Sequence, residues 1–219
     1  MARLTPKEIR EHRMALEVCQ RPEKVLRRLD EEIHSRMTGE EFFNQPGIEF
    51  LRDAWAAATF AKLRGAELVR LVPKDQRWPD FEMRLGGRVE QWEVTEADIP
   101  GRRRGAEYRY DPLIPGDRAL GLDHQQNYIA RAERFPEAIR RASEKKAFRN
   151  YSARVSLLIY LNPSDFGTRH QQTVDSFAEA TRPAKDRFKE VWILWKGQVH
   201  QVWSVSKREP GTDGQETMV

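Results

Sequence analysis

Only one cysteine stands in the 219 residues, Cys19, so no internal disulfide can form, which fits a reducing compartment. No stretch approaches the roughly 18 consecutive apolar residues of a membrane-spanning helix. The opening segment, Met1-Ala2-Arg3-Leu4-Thr5-Pro6-Lys7-Glu8, has no apolar run followed by a cleavage site, so no signal peptide is expected. Cytoplasm is the expected location. The histidines, His12, His34, His124, His170 and His200, are scattered with no pair at ligand spacing, which argues against a zinc site. A phosphate-loop lysine, a dinucleotide glycine fingerprint and a serine elbow are also missing.

What is present is a core-forming composition. Hydrophobic residues make up 39% and charged residues 33%, with six Trp and ten Phe, too aromatic a mixture for a disordered chain. The length suits one substantial core with a helical appendage. The net charge of +4 is mildly basic and by itself names no partner, so the local placement of arginine carries more weight.

The first third reads as helix. Thr5-Pro6-Lys7-Glu8 offers an N-cap, a proline at the first helical position and a glutamate three residues after the cap. A second helix follows Arg21-Pro22, with Val25, Leu26, Leu29 and Ile33 at helical spacing, and Met37-Thr38-Gly39 is read as its stop. A third starts near Ile48 and runs to Arg64, before Gly65. Ala66 to Val72 and Asp80 to Leu85 read as strands, Gly86-Gly87 as a hairpin turn, and Arg88 to Ala97 as the next strand. Asp98 to Asp123 is a long Gly-, Pro- and Arg-rich loop, of the kind that is usually functional. Helix returns between His124 and Asn150, with a break at Phe135-Pro136. Arg154 to Leu161 is the most apolar strand and should be central, followed by a helix over Gln171 to Ala180. Lys189 to Trp195, Lys196-Gly197 and Gln198 to Ser206 form a hairpin, whose Trp192 and Trp195, with Trp203, read as core or interface.

The expected fold class is therefore α/β, a mixed β-sheet flanked by helices. The expected division is a helical extension over 1–46, an α/β core over 47–206 and a flexible tail over 207–219.

Chemistry points first to Asp80 and Glu93. Pairing through Gly86-Gly87 puts Glu93 opposite a residue near Asp80, and two carboxylates on adjacent strands suit Mg²⁺, which takes oxygen ligands and keeps several waters. Gln91, Glu93 and Thr95 share one face of their strand, while Trp92 and Val94 take the other. A polar face at the centre of a sheet is costly unless it binds something; a polar face turned to solvent is the alternative.

These residues resemble a known family. Pro79-Asp80, then Glu93-Val94-Thr95 thirteen positions on, within an αβββαβ order, is similar to the PD-(D/E)XK superfamily of restriction-endonuclease-like nucleases. The resemblance spans Glu49 to Leu161 and implies a restriction-endonuclease-like core in which Asp80 and Glu93 are the motif acids. It also implies an acid on the first core helix, Asp53 or Glu49, with Asp53 preferred as a mid-helix position facing the sheet. Thr95 departs from the pattern, which wants a lysine there to orient water and stabilise the pentavalent phosphate. A threonine hydroxyl carries no charge for that role. Lys145 or Lys146 on the following helix is the replacement the resemblance allows, against the alternative that both are solvated surface charges.

The implied activity is phosphodiester hydrolysis assisted by Mg²⁺ or Mn²⁺, with Asp80, Glu93 and Asp53 or Glu49 as metal ligands, and with Lys145 or Lys146 beside Gln91 and Thr95 in catalysis. DNA is the expected substrate before RNA. Arg102, Arg103, Arg104, Tyr108, Arg109 and Tyr110 follow the strand directly and are candidates to contact phosphates and stack on bases; a soluble loop is the alternative. A homodimer is compatible with double-strand cleavage, although no interface signature is legible. Two competing expectations stand beside this one. One is a relative of the same fold that has lost catalysis and binds nucleic acid or a protein. The other is an interaction protein with no nucleic-acid role.

Overall fold

The computed structural model describes residues 3–34, 36–76, 78–99, 129–130, 132–149, 151, 155–162 and 170–204. Helix α1 (Pro6–Leu16) starts where the sequence places it, with Thr5 and Glu8 closing a reciprocal capping box. Helix α2 (Pro22–Arg28) continues into a π-helical turn over Leu29–His34, and together they bury Val25, Leu29 and Ile33 along one stripe. Thr38 is not only a stop, as expected from sequence. It caps a further helix, α3 (Gly39–Asn44), through a second capping box with Glu41. Helix α4 (Glu49–Leu63) ends at Gly65, whose φ of +71° is open to glycine at little cost.

The strands are β1 (Leu68–Leu71), β2 (Phe81–Leu85), β3 (Arg88–Ala97), β4 (Ser156–Leu161), β5 (Glu190–Trp195) and β6 (Gln198–Ser204). They form one six-stranded sheet in chain order. The pairs β1–β2, β2–β3 and β5–β6 are antiparallel, and β3–β4 and β4–β5 are parallel. Both parallel steps are joined by helical crossovers, α5 (Phe135–Ala147) and α6 (His170–Ala180), as parallel pairing requires. At the β2–β3 hairpin, Gly86 and Gly87 both have positive φ, +56° and +73°, the backbone a tight primed turn demands. The fold is thus an open α/β sheet with helices on both faces, and the most apolar strand, β4, lies inside it.

Strand alternation divides the core into two. Phe81, Met83, Trp92, Val94, Leu158 and Leu194 pack with α4 and the N-terminal helices. Leu157, Ile159, Leu161, Val191, Ile193 and Trp195 pack with α5 and α6 on the opposite face. The N-terminal helices share a continuous hydrophobic cluster with α4, and Gln20 pairs with Val69 at the β1 edge, so residues before 46 complete one layer. Trp192, Trp195 and Trp203 are core or partly buried, as their strand positions suggest. Among the described residues no helix is long and apolar enough to cross a membrane. The tail over 207–219 lies outside the described residues.

Phe60 centres the α4 layer. Its ring lies 4.7 Å from Trp92 and 5.7 Å from Trp192, near-perpendicular to both, while the Arg64 guanidinium sits 4.2 Å over Trp192. Edge-to-face rings and a partly desolvated cation–π contact add to the burial itself. We expect Phe60→Ala to lower the unfolding free energy by about 3–5 kcal/mol in urea titrations, the range for a buried aromatic replaced by alanine. Arg64→Ala should cost about 1 kcal/mol.

Candidate functional site

The α5 face of the sheet changes character across its width. Over β4 and β5 it is apolar, but across β1 to β3 it carries Arg70, Glu82 and Gln91 in one row and Asp80 and Glu93 in the next. The register Phe81↔Trp92, continued by the bond from Asp80 N to Trp92 O at 3.0 Å, sets Asp80 beside Glu93. Asp80 turns its Oδ2 along β3 and accepts the Val94 amide at 2.9 Å, taking the place of the next ladder carbonyl.

Lys146 joins these acids. Its Nζ donates to Asp80 Oδ2 at 2.8 Å and to Glu93 Oε2 at 2.5 Å. The Glu93 and Lys146 side chains are 2% and 6% exposed, whereas Asp80 is 37% exposed, so the cluster is closed at the glutamate and open to solvent at the aspartate. Helical spacing explains why Lys146 is the lysine that reaches the sheet. The buried stripe of α5 runs Phe135, Ala138, Ile139, Ala142, Ser143, Lys146, a strict i, i+3, i+4 pattern. Thr95 lies two residues past Glu93 on the same face of β3 and is buried.

The electrostatics are strained by excess negative charge. Burial, then the Asp80 charge, push the Glu93 carboxyl above its ordinary range against the pull of Lys146. Burial works against the Lys146 charge, but Asp80 and Glu93 outweigh it and hold the ammonium above its usual value. Asp53 on α4 approaches from the other layer, half-buried. Burial and the Asp80 charge push its carboxyl up to about 7, partly offset by Lys146 and Arg52. The Tyr151 hydroxyl is buried near Glu93 and is pushed up to about 12, chiefly by that burial. Tyr151, which ends the basic run before the apolar strand in the family resemblance, has a place in this cluster that the sequence does not assign it.

Several expected site residues stand elsewhere. Lys145 is exposed and takes no part in the cluster, so of the two lysines only Lys146 is brought to the acids. Glu49 is also exposed; its Oε1 accepts the Gly47 amide at 3.3 Å at the start of α4, away from Asp80. Gln91 shares the face of Glu93, but its Nε2 donates to Glu82 Oε1 at 3.3 Å. Glu82 Oε2 in turn accepts from Arg70 at 2.7 and 3.0 Å, so Gln91 belongs to a separate, satisfied row. Arg102, Arg103, Arg104, Tyr108, Arg109 and Tyr110 lie outside the described residues.

The donor set suits a divalent cation in one respect. Two carboxylates, Asp80 and Glu93, share a single ammonium, with the charge of Asp53 felt from α4, and Asp53 and Glu93 are held above their normal range. Mg²⁺ is commonly held by one or two carboxylates with waters completing its shell. Among the described residues, however, no three acidic, histidine or cysteine side chains converge closely enough to hold a metal by themselves. No family model matches the chain, and no curated protein or solved structure matches it either.

Removing the ammonium should leave a buried carboxylate uncompensated. Lys146→Met is expected to destabilise the fold by about 3–5 kcal/mol near neutral pH. The penalty should shrink as pH falls and Glu93 takes a proton; Lys145→Met should fall within about 0.5 kcal/mol of the parent. For Asp53 the folded pKa is raised, so its protonated form favours the folded state at low pH, and that stability is lost as pH rises from about 4 through about 7. Asp53→Asn should therefore be the more stable protein at pH 8, by about 1–2 kcal/mol after discounting for partial exposure, and should show a flatter profile of stability against pH.

Proposed function

We propose that this chain is a metal-dependent phosphodiesterase acting on nucleic acid, DNA before RNA, with Asp80, Glu93 and Lys146 at its centre. The observation that carries this reading is the meeting of the two acids on one lysine ammonium, 2.8 and 2.5 Å away, at a place where Asp80 stays open to solvent. Asp80 and Glu93 would hold the cation, with the charge of Asp53 behind them. Mg²⁺ or Mn²⁺ bound there would supply an acidified water and charge neutralisation at the leaving oxygen.

The chain's own groups divide the remaining work. Lys146, charged throughout the ordinary pH range, offers a fixed positive charge to the phosphate oxygens, the part that Thr95 lacks the charge to play. Glu93, pushed up by burial in the metal-free protein, would give up that proton affinity to the cation it holds. Asp53 changes charge close to neutrality in the metal-free protein, so affinity for the cation would rise with pH through about 7 as it ionises. The single cysteine, exposed and free, is in keeping with a cytoplasmic protein.

A second reading has its own support. Lys146 already offsets both acids, so the cluster also serves as a buried ion pair in a relative of this fold that binds nucleic acid or a protein without cleaving. Incubation with plasmid and with labelled oligonucleotides separates the two. Cleavage is expected with Mg²⁺ or Mn²⁺ and not with chelator, and it should fall at least about a hundredfold in Asp80→Asn. A folded chain that binds but never cleaves with either metal would leave the second reading in place of the first.

A further inference from the structure

Phe148 is the most exposed large hydrophobic side chain among the described residues, at 94%. Phe148 is the C-cap of α5, and its amide bonds the Glu144 carbonyl while the Arg149 amide bonds that of Lys146, both at 3.0 Å, so a closing turn follows the last helical residue, Ala147. Lys145, Phe148 and Arg149 therefore stand at i, i+3 and i+4, on one face of the helix end. Lys145 and Arg149 are exposed, and neither makes an ion pair among the described residues. The nearest acid on this face, Glu144, is already held by Arg140 at 2.6 Å. The same turn points Lys146 inward to Asp80 and Glu93, and Tyr151, three residues beyond Phe148, returns beside Glu93.

An exposed phenyl ring flanked by two unpaired cations is the arrangement that stacks on a nucleobase while phosphates pass alongside. Both faces of a base inside a duplex are already covered by its neighbours, so such a ring is usable only by a base with a free face. We propose that the Lys145–Phe148–Arg149 face binds unpaired nucleic acid, with Phe148 stacked on a base and Lys145 and Arg149 on its flanking phosphates. It rests on the nucleic-acid reading above and narrows the substrate to single strands, frayed ends or extruded bases. Lys146 and Phe148 leave the helix on nearly opposite sides, so the stacked base is not the nucleotide at the acids.

Fluorescence anisotropy with a labelled single strand and with its duplex, in chelator so that nothing is cut, tests this without the reaction. The intact chain should prefer the single strand, Phe148→Ala should bind it about 5- to 150-fold more weakly, and Phe148→Trp should hold it as well or better. The double variant Lys145→Ala, Arg149→Ala should lower the slope of log affinity against log salt by about 1.4. Equal binding by Phe148→Ala, a preference for duplex, or no binding to either strand form would overturn the proposal; so would self-association by sedimentation that Phe148→Ala abolishes while leaving oligonucleotide binding unchanged. A parallel Mg²⁺ assay keeps the two readings apart. Phe148-dependent binding without cleavage would sink hydrolysis and keep this face, and cleavage of single strands unaffected by Phe148→Ala would do the reverse.

Discussion

A lysine ammonium enclosed between two carboxylates is the constraint around which this molecule is arranged. Neither Glu93 at 2% exposure nor Lys146 at 6% could be buried charged without the other, because taking a lone ion out of water costs several kcal/mol. The pair thus ties α5 to the β2–β3 hairpin. Asp80 completes it by bonding both Lys146 and the Val94 amide, which locks the strand end where the ladder would otherwise stop. Because Asp80 keeps a third of its surface, the arrangement is sealed on one side and reachable on the other. That opening also lowers the cost of taking the three charges out of water.

The sheet explains how such a cluster fits inside a well-packed protein. Its α4 face is aromatic and dry, with Phe60, Phe81, Trp92 and Trp192 in contact. Its other face is apolar only where α5 and α6 cover β4 and β5. Across β1 to β3 the same face is polar, and its outer row satisfies itself: Arg70, Glu82 and Gln91 form a closed set of hydrogen bonds. The inner row carries two carboxylates to one ammonium, and burial first, then the Asp80 charge, makes Glu93, and Asp53 on α4, hold protons more tightly than free acids do. Satisfied polar rows stabilise a sheet; an unbalanced one invites a ligand.

Much of this was legible beforehand, for reasons that differ by residue. The Gly86-Gly87 turn sets the β2–β3 register and so the neighbourhood of Asp80 and Glu93. The choice between Lys145 and Lys146 is also readable, since only Lys146 continues the apolar stripe from Phe135, although the placement of the helix end alone admits both. Thr38 with Glu41 is a capping box of the same form as Thr5 with Glu8, yet the glycine beside Thr38 reads as a stop and hides the short helix α3. Between Glu49 and Asp53 the spacing along α4 favoured the one that lies near Asp80, and Glu49 is spent on the turn before the helix.

By itself the sequence determined the order and kind of the elements other than α3, the β2–β3 hairpin register and the inward faces of helices and strands. These follow from rules that act within a few residues: the periods of 3.6 and 2, capping side chains and positive-φ glycines. Only the tertiary structure decided that a lysine 53 residues from Glu93 and 66 from Asp80 would lie between them. That meeting depends on the parallel β3–β4 crossover laying the last turn of α5 over β3, and on burial deep enough to make the charges seek one another. Dielectric environment and long-range packing are properties of the folded whole, and no local pattern encodes them.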